Sequence, residues 1–371
     1  MHDDDLITSS SNSLQKPVLS LILCSRSDQY QGNSLWRLQT ALNYLGQSIH
    51  QLGRDEDVEV IVADWGSEIP LRNALKLNQE AARIVSFIHI PPDIARVEQK
   101  DSPFPEVLAL NAAARRANGE YIGRIDQDTL LTRHFLEKFF WLYKKQHLLT
   151  PLESSLLLSN RRCIPYRLAS LCPRFSVIDR YIRWFGRFLP LMYPMPPHLF
   201  YISFVGIWLL HRDIWYECGG YDESFIYMDW MEADMILRLT PKYTLVNLGE
   251  HVNHELYHLD HVQVHPLKDL RAGRNRKINP TRWLNNRPEK LNPNGENWGL
   301  VKYPLEVLSY PVDQMDAKKV RPGWRWFEWL AFINAFIISG VQIIVDNIGR
   351  SMLITGDRII KSMKHQSSKV S

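Results

Sequence analysis

Four short apolar runs, "VLSLIL" (18–23), "VEVIVA" (58–63), "RIVSFIHI" (83–90) and "YIGRID" (121–126), recur along the first third of the chain. Between and after them, segments 34–52, 104–118 and 132–146 carry helical spacing of apolar residues. Runs of this length bounded by turn residues read as strands, and a 3.6-residue period reads as helix. That alternation leaves few folds open. Strands joined by helices pair in parallel, and the helices cover both faces of the sheet. Ligands of such sheets bind beyond the carboxyl ends of the strands. The fourth run reaches such an end at Asp126, Gln127 and Asp128.

Charge and cysteine usage narrow the chemistry. The 371 residues carry 44 basic and 40 acidic side chains, a formal charge of +4. That is too mild for a nucleic-acid partner, and no basic stripe with groove-reading spacing occurs. The four cysteines, Cys24, Cys163, Cys172 and Cys218, include no CxxC pair. Neither a disulfide framework nor a zinc site is indicated, and a reducing, cytoplasmic setting fits. The opening "MHDDDLITSSSNSLQK" lacks a positive n-region and an apolar h-region, so residues 1–16 read as a loose tail rather than a secretory signal.

Further along, "FVGIWLL" (204–210) and "YTLVNLG" (243–249) read as strands flanking a short helix at 229–239. Residues 161–187 hold seven arginines against one aspartate, interleaved with aromatics. They suit an acceptor-side or membrane-facing element, or an amphipathic helix whose arginine stems cover apolar surface. Residues 263–323, rich in Asn, Pro and Arg, read as an irregular extension, with "NPNGENWGL" (292–300) a turn or a donor-closing loop. From Trp324 the run "WRWFEWLAFINAFIISGVQIIV" has nearly the length that crosses a bilayer. Glu328, Asn334 and Gln342 interrupt it, and beyond Arg350 the tail is basic, with Asp357 its only acid. Residues 324–371 are therefore expected to associate with an anionic cytoplasmic membrane surface, as a peripheral helix or as a carboxy-terminal anchor.

Asp126 and Asp128 stand two residues apart. At a strand end the backbone turns, and both can reach one hard cation. Oxygen ligands suit Mn2+ or Mg2+, ions that bridge carboxylates to substrate phosphates and neutralise a departing diphosphate. The plainer alternative is a polar turn in which Asp126 accepts from backbone amides.

The surrounding stretch, "LNAAARRANGEYIGRIDQDTLLTRHFLEKF", resembles the signature region of family 2 glycosyltransferases with the GT-A fold. Asn111, Ala117, Gly119, Glu120, Tyr121, Asp126, Asp128, Phe135, Leu136 and Glu137 occupy the matching places. "VLSLILCSRSD" is similar to the family's first strand, and "EVIVADWGSEIPL" to its second, with Asp64 at the acidic position. "CGGYDESF" and "MDWMEADMILRL" resemble its later elements. Aligning Asp234 and Arg238 puts Glu232 where the family carries its base, with Met231 in place of the first acid of the doublet.

The resemblance spans residues 17–262. It implies a GT-A domain with a mostly parallel sheet flanked by helices, a nucleotide-sugar donor, and a glycan or lipid-linked acceptor. It implies metal and diphosphate at Asp126 and Asp128, nucleoside near the end of the first strand at Ser25 and at Asp64, and further substrate contacts at Asn111 and Asp234, while the guanidinium of Arg26 reads as a ligand for phosphate or an anionic acceptor. Glu232 would be the base of an inverting reaction, and His258 or His261 a third metal ligand.

Local alternatives stand beside these roles. Asp229 and Glu232 have capping-box spacing, Asp234 and Arg238 that of an intrahelical ion pair, and His251, His254, His258 and His261 include ordinary surface or core histidines. A nucleotidyltransferase also uses carboxylates and a metal, but "LCSRSDQYQGN" is no glycine-rich phosphate loop. A glycosidase needs carboxylates set about 5–9.5 Å apart across the scissile bond, which adjacent acids do not suggest. A non-catalytic scaffold of the same fold draws support from the altered doublet at Met231–Glu232. On this reading Asp128→Asn is expected to leave the metal-free fold nearly unperturbed.

Overall fold

The computed structural model describes residues 16–28, 32–145, 151–189, 191, 206–227, 230–253, 255–261, 290–311, 325–338 and 341. Asp229, His254 and the basic residues beyond Arg350 lie outside these.

An eight-stranded sheet forms the centre. Its strands are β1 (Leu19–Ser25), β2 (Val58–Trp65), β3 (Val85–Ile90), β4 (Tyr121–Ile125), β6 (Ser155–Ser159), β8 (Ile207–His211), β9 (Thr244–Asn247) and β11 (Leu308–Ser309), in the order β11-β3-β2-β1-β4-β8-β6-β9. The β1–β2, β2–β3, β1–β4 and β6–β9 pairs are parallel, whereas β8 runs against both β4 and β6. Each apolar run identified as a strand from the sequence is one, within two or three residues at its ends. The result is the helix-flanked α/β sheet that the sequence implies.

Alternation sorts the side chains. Leu19, Leu21 and Leu23 of β1 join Val58, Val60 and Val62 of β2 in a core beneath the helices Ser34–His50 and Arg133–Lys145. Ile22, Ile61 and Ile122 face the opposite core, under the helices Glu106–Arg116 and Met231–Leu239. The turn into β4 needs Gly119, because a Cβ there would sit 2.5 Å from the Ser20 nitrogen. The extension contributes Trp298 and Leu300 to the second core and pairs β11 antiparallel to β3.

A second sheet has three short strands: β5 (Thr129–Leu131), β7 (Arg162–Ile164) and β10 (Leu256–Leu259), in the order β5-β10-β7. Tyr257 and Leu259 face a third core shared with the helix Phe175–Phe185 and with Phe332 of a helix at residues 326–338. His258, between them, points the other way. Among the described residues no helix is long and apolar enough to cross a membrane. Glu328, which interrupts the apolar run, is buried at the start of its helix, where Oε2 accepts from the Arg325 backbone N at 2.8 Å and Oε1 from the Arg174 backbone N at 3.2 Å. An acid at this position caps the first turn and fastens the helix to its neighbour.

Candidate active site

The turn after β4 sits where the two sheets meet, and its two aspartates part company there. Asp126 stays with the large sheet. Its Oδ1 lies 2.8 Å from Arg124 Nη2, and Oδ2 pairs with Arg161. Asp128 turns towards the small sheet, where Oδ2 pairs with Arg37, Oδ1 lies 2.9 Å from His258 Nδ1, and His261 Nε2 is 3.6 Å from Oδ2. Gln127, between them, accepts a hydrogen bond from Ser25 Oγ and so ties the turn to the end of β1. The expectation that both carboxylates reach one cation is not met. Side chains two residues apart would share a face of a continuous strand, but the turn between Ile125 and Thr129 breaks that alternation, and the guanidinium groups on the large-sheet side hold Asp126.

Asp128, His258 and His261 bring one ligand atom each to within 4.8 Å of one another. The antiparallel register of β10 on β5, with His258 opposite Thr129, carries the imidazole next to Asp128. Asp128 Oδ1 and His258 Nδ1 face each other at 2.9 Å, and His258 Nε2 is buried with no hydrogen-bond partner among the described residues. Such an orphaned polar atom is costly unless something binds it, and one carboxylate with two imidazoles is a donor set that divalent transition ions accept. The residues present therefore fit a divalent cation. Burial by itself would raise the Asp128 carboxyl, but the His258 imidazole, Arg37 and His261 overcome it and hold the group well below the usual carboxylate range.

On the other side of the turn, Arg124 Nη2 is a hub. Besides Asp126 it touches Glu106 Oε1 at 2.8 Å and Glu232 Oε1 at 3.3 Å. Arg124 shares a sheet face with Ile122, and Glu106 and Glu232 start the two helices that cover that face. Asp126 feels burial first, which raises it, yet Arg124 and Arg161 bring it below its ordinary value. For Glu232 burial prevails: it drives the carboxyl up to about 7 against the pull of Arg124, with Glu106 adding to the rise. A carboxylate titrating near neutrality, with 22% of its side chain reaching solvent, is suited to accept a proton. The N-cap of the Glu232 helix is Trp230, so Glu232 stands at the second helical position, off capping-box register.

The remaining expected residues lie elsewhere or are engaged. Asp64 is buried at the end of β2, bonded by Ser67 Oγ, by the Leu71 backbone N at 2.8 Å and by His89 Nδ1 at 3.1 Å, and it shapes the turn that follows. Arg26 bridges Asp28 and the Pro103 carbonyl. Asn111 is not brought to the cleft. It is fully buried and clamps the Gly-Gly-Tyr loop, accepting from the Tyr221 N at 2.9 Å and donating to the Tyr221 carbonyl at 2.8 Å. Gly220, with φ +73°, is required beside it, since a Cβ would come within 2.3 Å of Asn111 Oδ1. Asp234 is held by Arg238 in a buried intrahelical pair, and the same arginine donates to the Gly220 carbonyl of that loop at 3.0 Å. Conversely, Arg37, Arg124 and Glu106 stand outside the matching motif positions, and Arg161 enters only as one of the seven arginines of residues 161–187. Their signal was an arginine at core positions of an apolar strand and helix. A cavity of about 290 Å³ lined by Asn118, Glu120, Tyr143 and Arg212 opens at the opposite end of β1 and β4.

No protein-family model and no curated protein matches the chain. Among solved structures it is similar to S. aureus TarS, at 13% identity over 67% of this chain and 37% of that one, with a TM-score of 0.37. Residues 1–349 of TarS in complex with UDP give 14% identity, 62% and 57% coverage and a TM-score of 0.38. The catalytic domain of Drosophila beta1,4-galactosyltransferase 7 in complex with xylobiose gives 11%, 62% and 63%, and 0.34. The chain thus spans less than two thirds of each of these structures, and at such distance the likeness carries no argument about chemistry.

Proposed function

We propose that this chain is a GT-A glycosyltransferase that moves a sugar, with inversion, from a nucleotide diphosphate-sugar to a hydroxyl of a glycan or lipid-linked acceptor at a membrane surface. The observation that carries the reading is the adjacency of two unlike half-sites: a buried Asp128–His258–His261 trio and, across the Arg124–Asp126 pair, a glutamate titrating at about 7.

Among the described residues the four carboxylates Glu106, Asp126, Asp128 and Glu232 outnumber the guanidinium groups paired with them, Arg37, Arg124 and Arg161, beside the imidazoles of His258 and His261, so an incoming diphosphate meets no surplus of fixed positive charge there. A divalent cation held by Asp128, His258 and His261 would supply that charge as the nucleoside diphosphate departs. Two imidazole ligands favour manganese over magnesium, which prefers oxygen. Glu232 removes the proton from the acceptor hydroxyl. Arg124 keeps that glutamate partly ionised at neutral pH and fixes its place relative to Asp126. Inversion needs one base on the side of the anomeric carbon away from the leaving group, and a single carboxylate fills that role. Ser25, through Gln127, and the Asp64 turn shape the strand ends on which the nucleoside would rest.

A second reading, nucleotide-sugar binding without turnover, is favoured by the guanidinium partners that both aspartates already have. A screen of nucleotide-sugars decides between them by measuring release of nucleoside diphosphate with manganese, with magnesium and with a chelator. Release that needs the cation and a hydroxyl acceptor supports transfer. Tight donor binding with no release under any of these conditions supports the second reading.

A further inference from the structure

The helix at residues 326–338 has two apolar stripes where a surface helix ordinarily has one. Ala331, Phe332 and Ala335 turn inward, the Phe332 ring lying 5.6 Å from Tyr181 of the helix Phe175–Phe185. Trp326, Trp329, Leu330, Ile333, Phe336 and Ile337 form the other stripe, at three- and four-residue spacing, and are 45 to 75% exposed. Trp184, 54% exposed and 5.8 Å from Phe332, widens the surface from the neighbouring helix. A contiguous apolar face of this kind marks an interaction surface rather than chance exposure.

Its border says what covers it. Arg180 lies 6.0 Å over the Trp184 ring, Arg187 5.2 Å over Phe188 and Arg325 4.4 Å over Phe327. The acids within these two elements are both engaged, Asp179 by Arg183 and Glu328 by Arg325. Residues 174–188 and 325–338 together hold five arginines against these two acids, so the rim carries a net positive formal charge. Exposed tryptophans ringed by guanidinium groups match the boundary between headgroups and acyl chains, where aromatic rings settle and cations meet lipid phosphate. A second copy of this chain on a twofold axis would set the same positive rim against itself.

We propose that this two-helix ledge docks on an anionic phospholipid leaflet, with helix 326–338 lying in the plane of the interface. The ledge packs against the face of the small sheet that carries Tyr257 and Leu259, while His258 points from the opposite face towards Asp128. Docking thus holds the cation half-site one sheet and one helix layer from the bilayer, roughly 20 Å, within reach of an acceptor carried on a membrane lipid. The docking itself rests on the ledge alone and stands or falls separately from the transfer chemistry.

The test is co-flotation of the full chain with vesicles of phosphatidylcholine, alone or mixed with phosphatidylglycerol. The mixed vesicles should capture the protein at least about tenfold better, and less so as salt rises. The double variant W329E/I333E should lose that capture while keeping the wild-type melting temperature and wild-type nucleoside diphosphate release with a soluble acceptor. W326E, the most exposed single position, guards against a folding defect in the double variant and should weaken capture in the same direction. Failure of the full chain to float with mixed vesicles overturns the proposal. So does unchanged flotation of both variants, or a dimer in size-exclusion chromatography that W329E/I333E converts to monomer, which would assign the ledge to a second copy.

Discussion

The two sheets that meet at the Asp126–Asp128 turn differ in almost every respect. The large one is built from strands of up to eight residues whose apolar runs are visible along the chain and whose connections are periodic helices. The small one is assembled from strands of three or four residues whose paired positions lie 95 or more residues apart. On the proposed reading the first supplies the acid–base half of the site, Arg124, Asp126 and Glu232. The second supplies the cation half, His258 beside Asp128. A catalytic turn at such a seam draws different chemistry from each side, so perturbing one half should leave the signature of the other intact.

The largest effect is expected for Asp128→Asn, which strips the cation half of its only carboxylate. Nucleoside diphosphate release should fall about a thousandfold, the loss of several kcal/mol of charge stabilisation. The structure also revises the expectation that this variant keeps the metal-free fold unperturbed. Arg37, 2% exposed, would keep its bond to the Gly32 carbonyl but lose its ion pair with Asp128, at a cost of roughly 3–5 kcal/mol. The metal-free melt should therefore drop, and adding Arg37→Met should recover most of the drop without recovering activity. An Asp128→Asn melt equal to wild type would break the buried-pair account.

Next comes Glu232→Gln. Removing a general base should cost at least about a hundredfold in kcat, while manganese affinity, set on the other side of the turn, stays at the wild-type value. A parallel loss of manganese binding would erase the distinction between the halves. His261→Ala should be milder. It lies 3.6 Å from Asp128 and is less buried than His258, so manganese affinity should fall about tenfold with little change in the saturated rate. The smallest effect is a displacement rather than a loss. Turnover requires ionised Glu232, so kcat should climb with pH through about 7. Arg124 lowers that group, so Arg124→Gln should move the climb to higher pH by roughly one unit. A shift to lower pH would contradict the assignment of Glu232.

The same contrast explains what could be read from the sequence. β1 to β4 and their helices follow from local apolar pattern, because each buries a face that its own period defines. The turn and the order of motifs around it pointed to Asp126, Asp128 and Glu232. The small sheet was illegible, since "TLL", "RCI" and "LYHL" are too short to show a period and gain their meaning only by pairing at long range. Among the crowded histidines the spacing left the choice open, and the register of β10 on β5 brings His258 beside Asp128, with His261 three residues beyond and also near that carboxylate. Arg124 was hidden in plain view: a lone charge within "YIGRI" is anomalous in a buried strand, yet its three carboxylate partners come from three different elements. Asn111 misled in the other direction. A polar residue at a motif position proved to be the clamp of a neighbouring loop, a duty that only the folded contacts disclose.

The most direct test is manganese titration of the wild type, His258→Ala and Glu232→Gln, each with a nucleoside diphosphate present, followed by calorimetry or by the spin resonance of the free ion. The account predicts one site in the wild type, weakened at least about tenfold in His258→Ala and unchanged in Glu232→Gln. No bound manganese in the wild type, or equal affinity in all three proteins, would contradict it.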